Sequence, residues 1–140
     1  MTAKSIKIKK NKIISNKKGD ILKFIDKKTK GFKGFGEIYF SEIKKNKTKG
    51  WNLHRKFYSI LTVPYGEVEF NIIDPNNKKK KPKKIFLGRK KNLSLFVPPG
   101  IWYSFKSKAK ISLVVNVLNN IHIKNETSKS EIIRGIKIKN

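Results

Sequence analysis

Apolar residues recur along the chain in short runs, and few stretches show the 3.6-residue spacing of an amphipathic helix. The runs are rich in Ile, Val, Phe, Tyr and Leu, and clusters of Gly, Pro, Asn and Lys separate them. This pattern is typical of strands joined by turns. The predicted strands are Ile21–Ile25, Glu37–Ile43, Phe57–Val63, Glu67–Ile73, Ile85–Leu87, Leu93–Val97, Trp102–Phe105 and Ile111–Leu118. The chain is therefore predicted to be all-β, as a sandwich, a jelly roll or a small barrel.

Length and hydrophobic content favour one domain. The chain has 140 residues, of which 37% are hydrophobic, and this is enough to bury a core. We expect a single domain over residues 1–140, with residues 1–18 as a basic arm or edge hairpin and residues 120–140 as a polar tail. No apolar run approaches the roughly 20 residues of a membrane helix. The N-terminus lacks the apolar region of a signal peptide, so we expect a cytoplasmic protein.

The charge balance first suggests a nucleic-acid or membrane partner. The 35 Lys and Arg residues outnumber the nine Asp and Glu residues, which gives a formal net charge of +26. However, 32 of these cations are Lys, whereas base recognition depends mainly on Arg. The lysine-rich run within Asp74–Lys84 has no aromatic side chain to stack on a base, and it is predicted to be a loop. We therefore expect only weak, non-specific binding of nucleic acid and no membrane partner.

Three sequence motifs carry candidate chemistry. They are Lys49–Lys56, Val63–Phe70 and Phe96–Phe105. In the first, Asn52 and His54 lie two residues apart, and Gly66 follows about a dozen residues later. In the third, Pro98-Pro-Gly100 precedes Tyr103. Over roughly residues 19–120, this arrangement resembles the two conserved motifs of the cupin superfamily. The resemblance implies a double-stranded β-helix, the jelly-roll barrel of the cupins.

The motif residues differ from those of metal-binding cupins. Those proteins place His, His and Glu in the first motif and His in the second, around one ion. At the matching places this chain has Asn52, His54, Tyr58 or Ser59, and Tyr103. A lone imidazole with neutral neighbours is a poor site for a divalent cation, so no metal and no cofactor are predicted. The other histidine, His122, is expected to be a surface residue.

Within the cupins, the motifs most resemble those of the dTDP-4-dehydrorhamnose 3,5-epimerases and the related dTDP-sugar 3,4-ketoisomerases. Both families carry a basic residue and Gly before a catalytic His, then a Gly-x-Val strand that ends in an acidic turn, then a Pro-Pro-Gly turn. The matching residues here are Lys49-Gly50, His54, Gly66-Glu-Val68 with Asp74, and Val97-Pro-Pro-Gly100. The resemblance implies a metal-independent sugar-nucleotide 3,5-epimerase of polysaccharide biosynthesis that forms a homodimer. The alternatives are a 3,4-ketoisomerase, a non-catalytic sugar-nucleotide-binding cupin and, from charge alone, a basic nucleic-acid-binding β-domain.

The resemblance also implies roles for individual residues. His54 is the expected base, because a neutral imidazole can remove the acidic proton beside the carbonyl of a 4-keto sugar. The enolate that remains needs a donor or a cation. If residues 52–58 form one strand, Asn52, Lys56 and Tyr58 share the face of His54. The residues expected to bind the substrate are Lys49, Asn52, Lys56, Tyr58, Tyr103 and Asn116.

Two parts of the epimerase machinery have no clear counterpart in the sequence. The epimerases carry a Tyr acid in the strand where this chain has Asn116, and an amide cannot replace that acid. They also carry an Asp that orients the His, and the candidates here are Glu37 and Glu42. Trp51 and Trp102 are expected to be core or dimer contacts.

Overall fold

The computed structural model of the protein describes residues 5–78 and 81–137. This part of the chain consists of strands and connecting segments without a helix, so the all-β prediction is confirmed. Lys79 and Lys80 of the predicted lysine-rich loop lie outside the described residues, as do residues 1–4 and 138–140. The strands are β1 (Lys7–Lys10), β2 (Ile13–Ile14), β3 (Ile21–Leu22), β4 (Glu37–Lys44), β5 (Thr48–His54), β6 (Ser59–Tyr65), β7 (Glu67–Ile73), β8 (Lys83–Gly88), β9 (Leu93–Val97), β10 (Trp102–Ser107), β11 (Ile111–Leu118), β12 (Thr127–Lys129), β13 (Ile132–Ile133) and β14 (Ile136–Lys137).

Two five-stranded antiparallel sheets form the body of the fold. The first sheet has the order β1-β9-β6-β11-β4, and the second has the order β12-β5-β10-β7-β8. Consecutive strands repeatedly belong to different sheets, as in a jelly roll. Two short pairs, β2–β3 and β13–β14, lie outside these sheets. Among the described residues, none forms a helix that is long and apolar enough to cross a bilayer.

The hydrophobic core fills the space between the sheets. In β7, Val68 and Phe70 are fully buried and Ile72 is 5% exposed, so every second side chain of this strand contributes to the core. Phe70 packs on Phe105 of β10, with 5.5 Å between the ring centroids. The remaining core side chains come from both sheets, which is why the two sheets stay face to face.

Gly66 makes the turn between β6 and β7 as the sequence motif requires. Its φ angle is +83°, a left-handed conformation that glycine adopts without steric cost, and a Cβ there would collide with Ser112. The observed bounds of β7, β9 and β11 equal the predicted ones. In contrast, β3 covers only Ile21–Leu22 of the predicted strand Ile21–Ile25.

Segments near both ends of the described chain add strands to the sheets. β1 pairs with β9 of the same chain, and buried Asn11 holds this region by donating from Nδ2 to Ser94 Oγ at 2.5 Å. The C-terminal segment, residues 119–137, contributes β12, which pairs with β5. It also covers Trp51, whose indole Nε1 donates to the carbonyl of Ile136 at 3.1 Å. Trp51 is 1% exposed, so its predicted place in the core is confirmed.

Candidate active site

Two adjoining cavities lie between the sheets. The inner cavity, of about 110 Å³, is lined mainly by core side chains. The outer cavity, of about 290 Å³, opens beside the C-terminal segment. Tyr39, Asn52 and Tyr103 line both cavities, so the two form one continuous site. The outer cavity is also lined by Glu37, His54, Leu118, His122, Thr127 and Lys129.

His54 lies at the end of β5, in the wall of the outer cavity. It is 8% exposed, and its Nδ1 is 2.5 Å from Oε1 of Glu126, which directly precedes β12. The pairing of β12 with β5 places Thr127 opposite His54. An ionised carboxylate only accepts hydrogen bonds, so Nδ1 donates, and in the neutral imidazole the lone pair is therefore on Nε2. This is the tautomer that a general base needs.

Glu126 is held by several donors at once. Its Oε2 accepts hydrogen bonds from the backbone N–H groups of Lys56 at 3.0 Å and Phe57 at 3.3 Å. Burial by itself would raise the pKa of the Glu126 carboxyl, but the hydrogen bonds from His54 and the two backbone groups outweigh burial and lower this pKa. The carboxylate is therefore ionised at neutral pH, and it can stabilise a protonated His54.

Glu37 and Glu42, the expected orienting carboxylates, are not the partners of His54. Glu37 lines the outer cavity, whereas Glu42 is exposed and its backbone carbonyl accepts a hydrogen bond from Lys49. Sequence reasoning missed Glu126 because it lies 72 residues from His54 in a polar segment. The one available signal was Thr127 directly after it, because Thr favours a strand.

Tyr39 and Asn116 form a second polar pair, on the opposite wall. They are direct cross-strand partners on β4 and β11, and Asn116 Nδ2 donates to the Tyr39 hydroxyl at 2.9 Å. Burial raises the pKa of the Tyr39 phenol, so it keeps its proton at neutral pH. Sequence reasoning missed Tyr39, although the alternation of β4 places it on the same face as Ser41 and the buried Ile43.

Asn116 also carries an unused acceptor. The residue is 2% exposed, and its Oδ1 has no hydrogen-bond partner within the described part of the chain. Asn116 lines the inner cavity beside Tyr103. A buried acceptor without a donor is costly, so this oxygen suits a ligand that brings a hydroxyl or amine.

Three further residues predicted for the site, Asn52, Tyr103 and Lys49, line its cavities. Tyr103 is 3% exposed and lies opposite Asn52 on the neighbouring strand, so these two residues join His54 in the site. Burial raises the pKa of the Tyr103 phenol. Lys49 lines the inner cavity, but its ammonium already donates to Ser41 Oγ at 2.8 Å and to the carbonyl of Glu42 at 2.7 Å.

Lys56 and Tyr58 do not share a face with His54, so that prediction is wrong. β5 ends at His54, the chain bends at residues 55–56, and β6 begins only at Ser59. The side chain of Lys56 is exposed and lines neither cavity of the site. Tyr58 lines a different cavity of about 440 Å³, where Lys33 Nζ lies 5.5 Å from the centre of its ring.

His122 is exposed as expected, but it also lies on the rim of the outer cavity. Within residues 5–78 and 81–137, no group of three or more His, Asp or Glu side chains converges on a point where they could hold a metal ion. The metal-free site stays a prediction. The His54 imidazole, with Glu126 on its Nδ1, and the Tyr39 hydroxyl are groups that can transfer protons.

Comparison with known proteins identifies the family. The sequence profile of the family described as FdtA: WxcM-like, C-terminal matches residues 4–130. No curated protein sequence matches the chain. A solved dTDP sugar isomerase from Desulfovibrio desulfuricans G20 is similar to it with a TM-score of 0.82 and 26% identity, over 89% of this chain and 83% of that one.

Two further solved structures share the fold. A variant of the 3,4-ketoisomerase QdtA from Thermoanaerobacterium thermosaccharolyticum, in complex with TDP-4-keto-6-deoxyglucose, has a TM-score of 0.75 and 19% identity over 88% of this chain and 86% of that one. The dTDP-6-deoxy-D-glucose-3,5-epimerase RmlC from Legionella pneumophila Philadelphia 1, in complex with dTDP-4-keto-L-rhamnose, has a TM-score of 0.80 and 15% identity over 95% of this chain and 78% of that one. Because the family profile covers most of the sequence, the chain belongs to the WxcM-like, C-terminal (FdtA) family, and its fold is that of the RmlC-like cupins.

Proposed function

We propose that the protein is a metal-independent isomerase of nucleotide-linked 4-keto-6-deoxyhexoses, of the 3,5-epimerase type, with His54 as its base. The observation that carries the proposal is the buried His54–Glu126 pair in a cavity whose opposite wall presents the Tyr39 hydroxyl. The family and the similarity to sugar-nucleotide isomerases and epimerases support the same substrate class.

The first step is removal of a proton beside the carbonyl of the keto sugar. Nε2 of His54 takes the proton, and the electron pair moves to the carbonyl oxygen as an enolate. Glu126 keeps Nδ1 protonated and stabilises the imidazolium that forms. The ring of Phe57 stacks beside the imidazole, with 6.3 Å between the ring centroids.

Tyr39 is the proposed acid that returns a proton to carbon. It lies on β4 in the first sheet, and His54 lies on β5 in the second, so the two groups approach a ligand from opposite walls. Asn116 occupies the place of the epimerase Tyr acid and holds the Tyr39 hydroxyl at 2.9 Å. Asn116 cannot act as the acid, and the adjacent phenol of Tyr39 is the proposed replacement. Protonation from that side inverts the configuration at the carbon.

The inner cavity supplies polar groups for the sugar. Lys49 lines this cavity, and its ammonium is the proposed cation that stabilises the enolate oxygen. Asn52 and Tyr103 complete that wall. The free Oδ1 of Asn116 is the natural acceptor for a hydroxyl of the pyranose ring.

The second candidate function is 3,4-ketoisomerisation of the same substrate class. It is favoured by the 26% identity to a solved dTDP sugar isomerase and by the similarity to the 3,4-ketoisomerase QdtA. In this reaction the proton leaves C3 and a proton returns to C4, so one base on one face is sufficient. The configuration and the carbonyl position of the product therefore separate the two reactions.

We also propose that the protein is a homodimer. Phe35, Ile38 and Phe40 are 67%, 46% and 66% exposed, and they lie on or next to β4, which is an edge strand of its sheet. Such a cluster of large apolar side chains next to an open edge is unusual on a monomer. A second copy can cover the cluster with its own identical surface.

The deciding experiment incubates the protein with dTDP-4-keto-6-deoxyglucose in deuterated buffer and follows the sugar by NMR. We expect deuterium next to the carbonyl, and we expect His54→Asn to abolish this exchange while the protein still folds and binds dTDP. A wild-type protein that binds the sugar nucleotide but exchanges no proton would overturn the enzyme proposal in favour of a binding module.

A further inference from the structure

The C-terminal segment forms one wall of the outer cavity and carries a cation that the proposed reaction has not used. Glu126 and Thr127 face His54, and Lys129 and His122 lie on the rim of the same cavity. Both rim side chains belong to exposed residues. A ligand in the outer cavity is therefore within reach of these two side chains.

The strand register determines the direction of the Lys129 side chain. β12 pairs antiparallel with β5, and it places Lys129 opposite Asn52 and Thr127 opposite His54. Directly opposed residues of an antiparallel pair project from the same face. The Lys129 ammonium therefore extends from the face that carries His54 and Asn52, at the open end of the cavity.

Lys129 differs from Lys49, the other lysine of the site. Lys49 is already engaged by Ser41 and by the carbonyl of Glu42. The side chain of Lys129 has no hydrogen bond or ion pair to any residue within 5–78 or 81–137. Glu37, on the opposite side of the cavity, repels an anion and so favours its binding on the Lys129 side.

We propose that Lys129, together with His122, binds the diphosphate of the sugar nucleotide at the cavity mouth and thereby directs the sugar toward His54. An ammonium is a strong point charge for phosphate oxygens, and an imidazole N–H adds a donor. The shape of the site agrees with this polarity, since Lys129 and His122 line the outer cavity and Asn116 lines the inner one. This inference rests on the proposed function for its ligand.

The test measures binding of dTDP, pyrophosphate and thymidine by titration calorimetry at 0.15 M salt. Because hydrogen bonds to charged groups are stronger than neutral ones, we expect Lys129→Gln to weaken dTDP binding about tenfold. Thymidine, which lacks the diphosphate, should bind equally to both proteins. Lys129→Arg should restore most of the affinity, and His122→Gln should weaken dTDP binding by a smaller factor.

Lys124→Gln is the matched control, because Lys124 is exposed on the same segment and does not line the cavity. Equal weakening by Lys124→Gln and Lys129→Gln would overturn the inference, since it would reflect only the net charge. Unchanged dTDP affinity in Lys129→Gln would also overturn it. If wild-type protein binds dTDP through Lys129 but exchanges no proton of a keto sugar, the proposed reaction fails while the diphosphate site stands.

Discussion

His54 and Glu126 lie 72 residues apart in the sequence, and 2.5 Å separates the imidazole Nδ1 from the carboxylate Oε1. The pairing of β12 with β5 brings them together, so the C-terminal segment is part of the site. The hydrogen bonds from Lys56 and Phe57 fix the carboxylate at the same time. The base thus comes from the end of β5, and its orienting group comes from the residue that directly precedes β12.

Replacement of the orienting carboxylate should slow the reaction without ending it. In Glu126→Gln, the imidazolium that forms during proton abstraction loses its ionised partner, and we expect deuterium exchange to slow by about ten- to a hundredfold. The measurement is the NMR exchange rate under saturating substrate. Glu131→Gln, an exposed position on the same segment, is the control and should retain the wild-type rate. An unaltered rate in Glu126→Gln would exclude an orienting role.

The same carboxyl should make stability depend on pH. Because the pKa of Glu126 is lowered in the folded state, its stabilising contribution is present above the ordinary value of 4.5 and is lost as the pH falls below it. We expect wild-type protein to exceed Glu126→Gln by about 1 kcal/mol in unfolding free energy at pH 7, and this difference should shrink at pH 3. Urea unfolding of both proteins at each pH measures it. A difference that grows toward low pH would contradict the assignment.

Removal of the Tyr39 hydroxyl should separate the step of the base from the step of the acid. Tyr39→Phe keeps the ring but removes the proposed acid, so we expect proton abstraction by His54 to continue while formation of the inverted product falls at least about tenfold. Deuterium incorporation and product configuration are read from the same NMR spectra. Tyr65→Phe is the matched control, because Tyr65 is 62% exposed and lines neither cavity of the site. Inverted product at the wild-type rate would assign the acid elsewhere.

Asn116 should matter more for the ligand than for the fold. Asn116→Leu keeps the branching of the side chain, loses the hydrogen bond to Tyr39 and also removes the buried acceptor that has no partner. These two effects oppose each other, so we expect the unfolding free energy to change by less than about 1 kcal/mol. The thermal shift caused by a sugar nucleotide should decrease markedly, whereas the shift caused by dTDP should not. If the substitution reduced the thermal shifts caused by the two ligands equally, a contact between Asn116 and the sugar would be contradicted.

The exposed apolar cluster on β4 should control assembly. Phe40→Lys places a charge where a second copy is proposed to pack, and we expect it to convert the dimer into a monomer. Light scattering at micromolar concentration measures the mass. Phe86→Lys, which changes an exposed Phe of β8 on the second sheet, should leave the mass unaltered. A wild-type monomer would exclude the homodimer.

The sequence determined the strand content, the jelly roll and the family, because these depend on local alternation and on short motifs. The alternation of Val68, Phe70 and Ile72 within β7 indicates which face of the strand is buried. Gly66 indicates a turn, because it adopts a backbone conformation that other residues avoid. The motif around His54 and Tyr103 likewise identified two residues that do meet in the site.

Only the tertiary structure decided which partners surround those motif residues. Glu126, Tyr39 and Lys129 reach the site through pairing between strands distant in sequence, and no local period encodes such pairing. The same limit explains the error for Tyr58, because alternation holds only while a strand continues, and β5 ends at His54. A side chain four residues beyond that end follows the bend of the chain and enters a different cavity.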